Sequence, residues 1–280
     1  MKTAAIVGAL LIAPLAAAAD PPPAPVPPAA PIATSQVPAH PQRPSLGSTA
    51  ATTEAGYVEM EAGGVFANDG FSTPVRFRLG LGRIAEAYLG FSPIVGVDTD
   101  EGTETGFGDT VLGAKIRFFE SADGDAAVEG FVKLPTADED KGLGTGAVDA
   151  GFRFIASRAW GMNQFHFNLG GDFAGVPDAT SNDARWTLSL MWARTFESRL
   201  GMYGELFVQF LPAADDENIS TQWGVIYVLN PSLVLDAGVN IGLSDDAPDL
   251  QVRMGITKVL GKLFQPGPGG KRAATPAPAS

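Results

Sequence analysis

The sequence predicts an all-β protein, a transmembrane antiparallel up-and-down β-barrel of about twelve strands. Three observations predict it. From Gly56 to Leu260 apolar and polar residues alternate with a period of two, and no stretch holds a helical period. The alternating runs are about ten residues long, close to the roughly 9 to 11 that cross a bilayer when tilted and longer than the roughly 5 or 6 of soluble strands. The chain also opens like an exported protein, yet no later apolar run approaches the roughly 20 residues of a membrane helix. Membrane residence then falls to strands, and closure into a barrel leaves no backbone edge unpaired in lipid.

The elements follow in order. Met1 and Lys2 give a positive start, Ala4 to Leu15 an apolar run, and Ala17-Ala18-Ala19 a small-residue site before Asp20, so residues 1–19 read as a cleaved secretory signal. Residues 20–54 are crowded with proline from Pro21 to Pro44 and have no hydrophobic period, which predicts a solvated periplasmic tether. Residues 55–264 are the barrel, and 265–280 (QPGPGGKRAATPAPAS) a disordered Gly/Pro tail.

Within the barrel the clearest strand is Leu233 to Leu243. Its odd positions are Leu, Leu, Ala, Val, Ile and Leu, while the even ones include Asp236, Gly238 and Asn240. Val75, Phe77 and Leu79 oppose Arg76 and Arg78 in the same way, Phe165, Phe167 and Leu169 oppose His166 and Asn168, and Leu188 and Leu190 oppose Thr187 and Ser189. Strands are expected to begin near Gly56, Thr73, Ile84, Gly106, Gly124, Thr145, Asn163, Asn182, Arg199, Ile219, Ser232 and Asp249. Trp160, Phe173, Trp186, Phe196, Phe210, Trp223 and Tyr227 fall toward run ends, where aromatic girdles sit.

Connection lengths give an orientation. With a periplasmic N-terminus, the outer loops are Asn68 to Ser72, Val97 to Thr105, Ala137 to Gly144, Val176 to Ser181, Pro212 to Asn218 and Ser244 to Pro248. The intervening turns, such as Gly82-Arg83, Glu197-Ser198 and Asn230-Pro231, are mostly shorter, as barrels of this class require. Acidic residues follow the same parity, from Asp98, Asp100, Glu101 and Glu104 to Asp245 and Asp246, with Lys141 the only basic residue in those loops. Two readings fit such a rim: divalent cations bridging to lipopolysaccharide or repulsion of anions at a pore mouth, and plain solubility of exposed loops.

A charge on the lipid face costs about 2 to 4 kcal/mol near the midplane, so charged strand residues are assigned to the lumen. The lumen-lining candidates are Arg76, Arg78, Glu86, Asp109, Lys115, Arg117, Glu129, Lys133, Asp149, Arg153, Asp172, Arg185, Glu205, Asp236 and Arg253, with Glu59 and Glu61 on the same parity. Opposed charges in a bore can sort solutes, or they can form a ladder of ion pairs that fills a narrow lumen, and both readings stand.

Other chemistry finds little support. There is no cysteine, which removes disulfides and thiolate sites, and a net charge of -12 speaks against nucleic acid. Of two histidines, His40 lies in the tether and His166 faces the lumen with Asn168 rather than serine two residues on, so no catalytic residue is assigned. Asp98 to Gly102 lacks the spacing of a calcium loop, and Gly142 to Gly146 leads into a strand rather than a helix, so neither a metal nor a cofactor is expected.

Four patches then carry a family resemblance: GFGDTVLGAKIRFF (106–119), FVKLPTADEDKGLGTGAVDAGFRF (131–154), YGELF (203–207) and WGVIYVLNPSLVLDAGVNIGLSDDAPDLQVRMGI (223–256). Together they resemble the outer-membrane transporter family named for the meta-cleavage pathway of phenol degradation, in which a penultimate hairpin turns on Asn-Pro and an Ala-Pro-Asp loop precedes the last strand. The chain departs from that pattern at Thr136-Ala137, and it continues past its last strand, so an internal signal near Phe264 would replace an aromatic carboxy-terminus. The resemblance implies a barrel that carries small, hydrophobic or aromatic solutes passively across the outer membrane, with membrane lipid and lipopolysaccharide as surroundings. The alternative is a non-conducting barrel that anchors the tether to the envelope.

Overall fold

The computed structural model describes residues 37–175, 183–196, 199–211 and 216–265. The signal assigned to 1–19, the first part of the proline-rich stretch, the tail after Gln265, the loop at Val176 to Ser181, the turn at Glu197-Ser198 and the start of the loop at Pro212 lie outside them.

Fifteen strands follow in chain order: β1(Tyr57–Ala67), β2(Gly70–Ser72), β3(Val75–Gly80), β4(Ala85–Phe91), β5(Val95–Thr99), β6(Gly102–Gly106), β7(Thr110–Glu120), β8(Gly124–Leu134), β9(Asp149–Trp160), β10(Asn163–Ala174), β11(Asp183–Thr195), β12(Leu200–Leu211), β13(Asp216–Asn230), β14(Leu233–Gly242) and β15(Leu250–Lys262). Three pairs, β2 with β3, β4 with β5 and β6 with β7, are single staves interrupted once. Two interruptions contain Pro74 and Pro93, which have no N–H to give a ladder. The backbone bridges the gaps, Thr73 N donating to Ile94 O and Gly108 N to Ser92 O, both at 2.9 Å. Fifteen strands less three interruptions give twelve staves.

Neighbouring staves pair antiparallel, and β15 closes onto β1 from Tyr57 opposite Lys262 to Ala67 opposite Gln251. The predicted twelve-strand up-and-down barrel is therefore the fold. The stave expected from Thr145 begins instead at Asp149. Gly142 and Gly146 hold φ of 69° and 67°, left-handed values that glycine takes freely and that end a strand run.

The two faces separate as period two requires. Leu190 is 55% exposed while its neighbour Ser189 is fully buried. Trp223, Val225, Tyr227 and Leu229 repeat that exposure along β13, and Leu235, Val239 and Ile241 along β14. So much contiguous exposed apolar surface has lipid as its natural solvent. Toward the long-loop end Phe152, Phe173 and Trp186 pack with ring centroids 6.2 to 6.5 Å apart, with Phe210 opposite Trp186. Trp223 departs from the girdle expectation, lying midway along β13.

The solvated tether expected over 20–54 is corrected for its second half. Residues 37–55 lie inside the barrel, where Ala50 is fully buried and Gln42, Ser48, Thr52 and Thr53 are 5% exposed or less. The segment starts at the short-turn end, where Ala39 N donates to Pro231 O at 2.8 Å. It reaches Asn168, Ser189 and Glu205 at Gly47 and returns to Gly56, whose N–H meets Gly80 O at 2.7 Å. Burial without a hydrophobic period is open to it because its partners are polar: the amides of Gln42, Gly47, Ser48, Ala50 and Thr53 meet inward-facing oxygens.

Candidate functional site: the barrel lumen

The lumen is built as a seat for residues 37–55. His40 N donates to Glu59 (2.8 Å), Gln42 N to Glu61 (2.6 Å) and Thr53 N to Glu86 (2.7 Å). The consecutive amides of Leu46 and Gly47 share the carboxylate of Glu205 at 2.8 and 2.7 Å, and Ser189 donates to it as well. Ser48 N meets Asn168 Oδ1 at 2.9 Å, and Ala50 N meets Ser157 Oγ at 3.0 Å. A Cβ at Gly47 would stand 2.6 Å from Ser189 Oγ and 2.9 Å from Glu205 Oε1, so the closest approach needs glycine. Arg43 reaches Asp236 at 3.6 Å and donates to Met254 O at 2.9 Å, lying against Gly63 and Gly255, which face each other across β1 and β15.

Most of the predicted lumen residues are locked in ion pairs. Arg78, fully buried, pairs with Glu59, with Glu61 at 3.3 Å and with Glu86 at 3.6 Å. Lys115 continues the chain to Glu86 at 3.4 Å and Glu129 at 3.9 Å, and Arg153 reaches Glu129 at 3.8 Å. Arg117 meets Glu120 and Asp125 near the short-turn end (3.4 and 3.8 Å). Lys133 joins Asp149 and, at 3.0 Å, Asp109, whose Oδ1 accepts the amides of Thr136 and Ala137 and so ties down the loop after β8. For these residues the ladder of ion pairs describes the arrangement. Five candidates stand apart. Arg76, Asp172, Arg185, Glu205 and Arg253 have no ion pair within 4.0 Å among the described residues, and Glu205 accepts amides of the segment instead. Arg185 is exposed, lining a rim cavity with Gln209 and Asp246.

The charge is also one-sided. Glu59, Glu61, Arg76, Arg78, Glu86, Lys115, Arg117 and Glu129 come from β1, β3, β4, β7 and β8, whereas β11 to β14 turn Met191, Ala193, Tyr203, Phe207, Ile226 and Val234 inward. Tyr203 lies over Gly224 and Gly238, where a Cβ would meet its ring or hydroxyl, and receives a hydrogen bond from Gln222 Nε2 at 2.7 Å.

Two cavities flank residues 37–55. One of about 660 Å³ opens at the short-turn end between Pro38, Pro41 and Pro44 of the segment and the apolar wall of Met191, Ile226 and Val234. The other, about 340 Å³, lies toward the long loops between Gln42 to Ser48 and Arg76, Arg153 and Arg253. Arg43 and Ser45 line both.

Sequence reasoning missed three features. Ser157 Oγ lies 2.8 Å from His166 Nδ1, across the β9–β10 ladder rather than two residues along the chain. It also takes the Ala50 amide, and among the described residues no carboxylate hydrogen-bonds His166, so the pair is a link in the seat. The sparsely charged inner wall was readable from parity, since the inward positions of β11 to β14 hold few charges beside Glu205 and Asp236. The lumen segment left a weaker signal: between Val37 and Thr53 its only formal charge is Arg43.

A profile of the family described as "Putative MetA-pathway of phenol degradation" matches residues 42–257, starting inside the lumen segment. The chain belongs to that family. No curated protein matches it. Among solved structures the family's barrel is similar to the KdgM porin, with a TM-score of 0.54 at 8% identity, covering 71% of this chain and 98% of the porin. It is likewise similar to the NanC porin, with a TM-score of 0.52 at 8% identity, covering 72% and 98%. At such identity the likeness is one of fold, that of porin barrels of the outer membrane.

Proposed function

We propose that this protein is exported, inserts in the outer membrane among lipid and lipopolysaccharide, and lets small solutes cross passively, with residues 37–55 forming the constriction. The observation that carries this reading is the pair of cavities on either side of that segment, which share Arg43 and Ser45 in their walls. A solute moving from one to the other has only to displace a strand-free segment held by hydrogen bonds. The apolar wall at the short-turn end favours solutes with a hydrophobic or aromatic body, in keeping with the phenol-degradation description of the family. A second reading, a closed barrel that anchors the segment before residue 37, is favoured by the depth of the seat at Glu205 and Asn168.

Single-channel conductance of the refolded mature chain in a planar bilayer decides between them, run beside a variant in which Gln42 to Thr52 is replaced by a Gly/Ser linker. Small steps for the native chain and larger ones for the variant support passage through a constriction. A folded native chain that is silent while the variant conducts supports the closed barrel. Silence in both, with the heat-shifted mobility of a folded barrel, overturns passage.

A further inference from the structure

We propose that the cavity on the long-loop side is a binding site for a small carboxylate with an apolar body, anchored by Arg76 and Arg253. The proposal rests on the reading of the lumen as a solute path and names the charged group that the solute carries.

The cavity holds about 340 Å³, at the low end of the roughly 300 to 1,000 Å³ of small-molecule sites. That is room for a small acid and too little for a lipid headgroup with its chains. Four guanidinium groups line it, those of Arg43, Arg76, Arg153 and Arg253, against the carboxylates of Glu61 and Asp109. Both carboxylates are committed elsewhere. Glu61 accepts from Gln42 N and Arg78, and Asp109 from Lys133, Thr136 N and Ala137 N.

Two of the arginines are committed as well, Arg43 to Asp236 at 3.6 Å and Arg153 to Glu129 at 3.8 Å. Neither of the other two has a carboxylate within 4.0 Å among the described residues, although Glu129 and Glu61 act on Arg76, and Glu205 on Arg253, from further away. Arg76 lies over the Tyr88 ring with its Cζ 4.7 Å from the centroid. Arg253 donates one bond to Gln251 Oε1 at 2.9 Å, and its buried Nε has no partner. Two cations without a direct ion pair in a half-enclosed, low-dielectric space are only partly compensated, and a carboxylate that bridges them adds the contact they lack. The guanidinium fork matches a carboxylate in plane, which ammonium does not. Val75, Phe91 and Val111 on the same walls supply the apolar side. The acidic loops at this end slow an incoming anion over a Debye length of about 8 Å in physiological salt, and leave contacts inside the cavity unscreened.

The test is calorimetric titration of the refolded full mature chain in micelles with benzoate, benzyl alcohol and inorganic phosphate. Saturable one-site binding of benzoate is expected, with alcohol and phosphate weaker by roughly tenfold or more, the size of a lost charge-assisted pair. Arg76→Gln and Arg253→Gln should each weaken benzoate by a similar factor while the barrel keeps its heat-shifted mobility, and Arg253→Lys should restore part of it. Should Arg76→Gln fail to fold, Arg253→Gln alone decides. Equal binding of benzyl alcohol would show partition into apolar surface, and equal binding of phosphate an unselective anion site; either overturns the proposal, as does benzoate binding that Arg253→Gln leaves unchanged. Benzoate flux into proteoliposomes separates the two readings. Binding without flux removes passage and keeps the site, whereas flux without saturable binding removes the site and keeps passage.

Discussion

Arg76 and Arg78 lie two residues apart on one face of β3, and the sequence gives them the same standing. The structure separates them. Arg78 sits among Glu59, Glu61 and Glu86, each of which also accepts an amide of the lumen segment. Removing its guanidinium leaves three buried carboxylates facing one another, and breaking such a network typically costs about 3 to 5 kcal/mol. Arg78→Ala is expected to lower the urea midpoint of the folded barrel by that order. Arg76→Ala should leave the midpoint within about 1 kcal/mol of native, because its direct contact is a cation–π arrangement with Tyr88 and no carboxylate lies within ion-pair distance. If the lumen conducts, Arg76→Ala should instead shift the reversal potential in a salt gradient toward cations. Matching unfolding midpoints for the two variants would contradict this division.

At the scale of elements, the lumen segment and the strand wall depend on each other. Glu205 of β12 takes two consecutive amides and the Ser189 hydroxyl, so Glu205→Ala leaves two buried donors and the part-buried Leu46 amide without their acceptor, each costing roughly 1 to 3 kcal/mol if water cannot reach it. The expected outcome is a barrel that still forms, since strand ladders do not involve that carboxylate, with Leu46 to Ala50 amides exchanging with deuterium far faster than in the native chain. Gly47→Val should act alike from the other side of the contact, its branched side chain having no space against Ser189, Asn168 and Glu205. Retained protection of those amides in both variants would mean that the segment is held by something other than this seat. Even so, the staves themselves were legible in the sequence, because a strand's two faces repeat every second residue. Boundaries slipped where Pro74, Pro93 and Gly142 to Gly146 interrupt or delay a ladder, and where the ladder runs on into expected outer loops: β2 takes part of Asn68 to Ser72, β5 and β6 most of Val97 to Thr105, and β13 the end of Pro212 to Asn218.

For the whole molecule, the governing quantity is which solvent each face meets. Leu190, central in β11 and 55% exposed, faces lipid; Ser189 beside it is buried in the lumen. Leu190→Arg is expected to cost about 2 to 4 kcal/mol in folding into lipid vesicles, read from urea titrations. A similar penalty for Leu190→Ser would argue that packing rather than lipid exposure sets it.

By itself the sequence determined the antiparallel barrel, the number of staves, their parity and the assignment of charge to the interior, because alternation is a local property that any ten-residue window displays. Only the tertiary structure decided what fills that interior. The carboxylates and amides that hold Gly47 and Ser48 come from residues roughly 120 to 160 positions away on β10 and β12. A proline-rich segment without a hydrophobic period looks solvated until the polar wall that receives its amides is assembled around it. Closure likewise decided which cations form direct ion pairs: Arg78 and Arg76 share one strand face, and only the curvature of the closed sheet set the first among three glutamates and left the second facing a cavity.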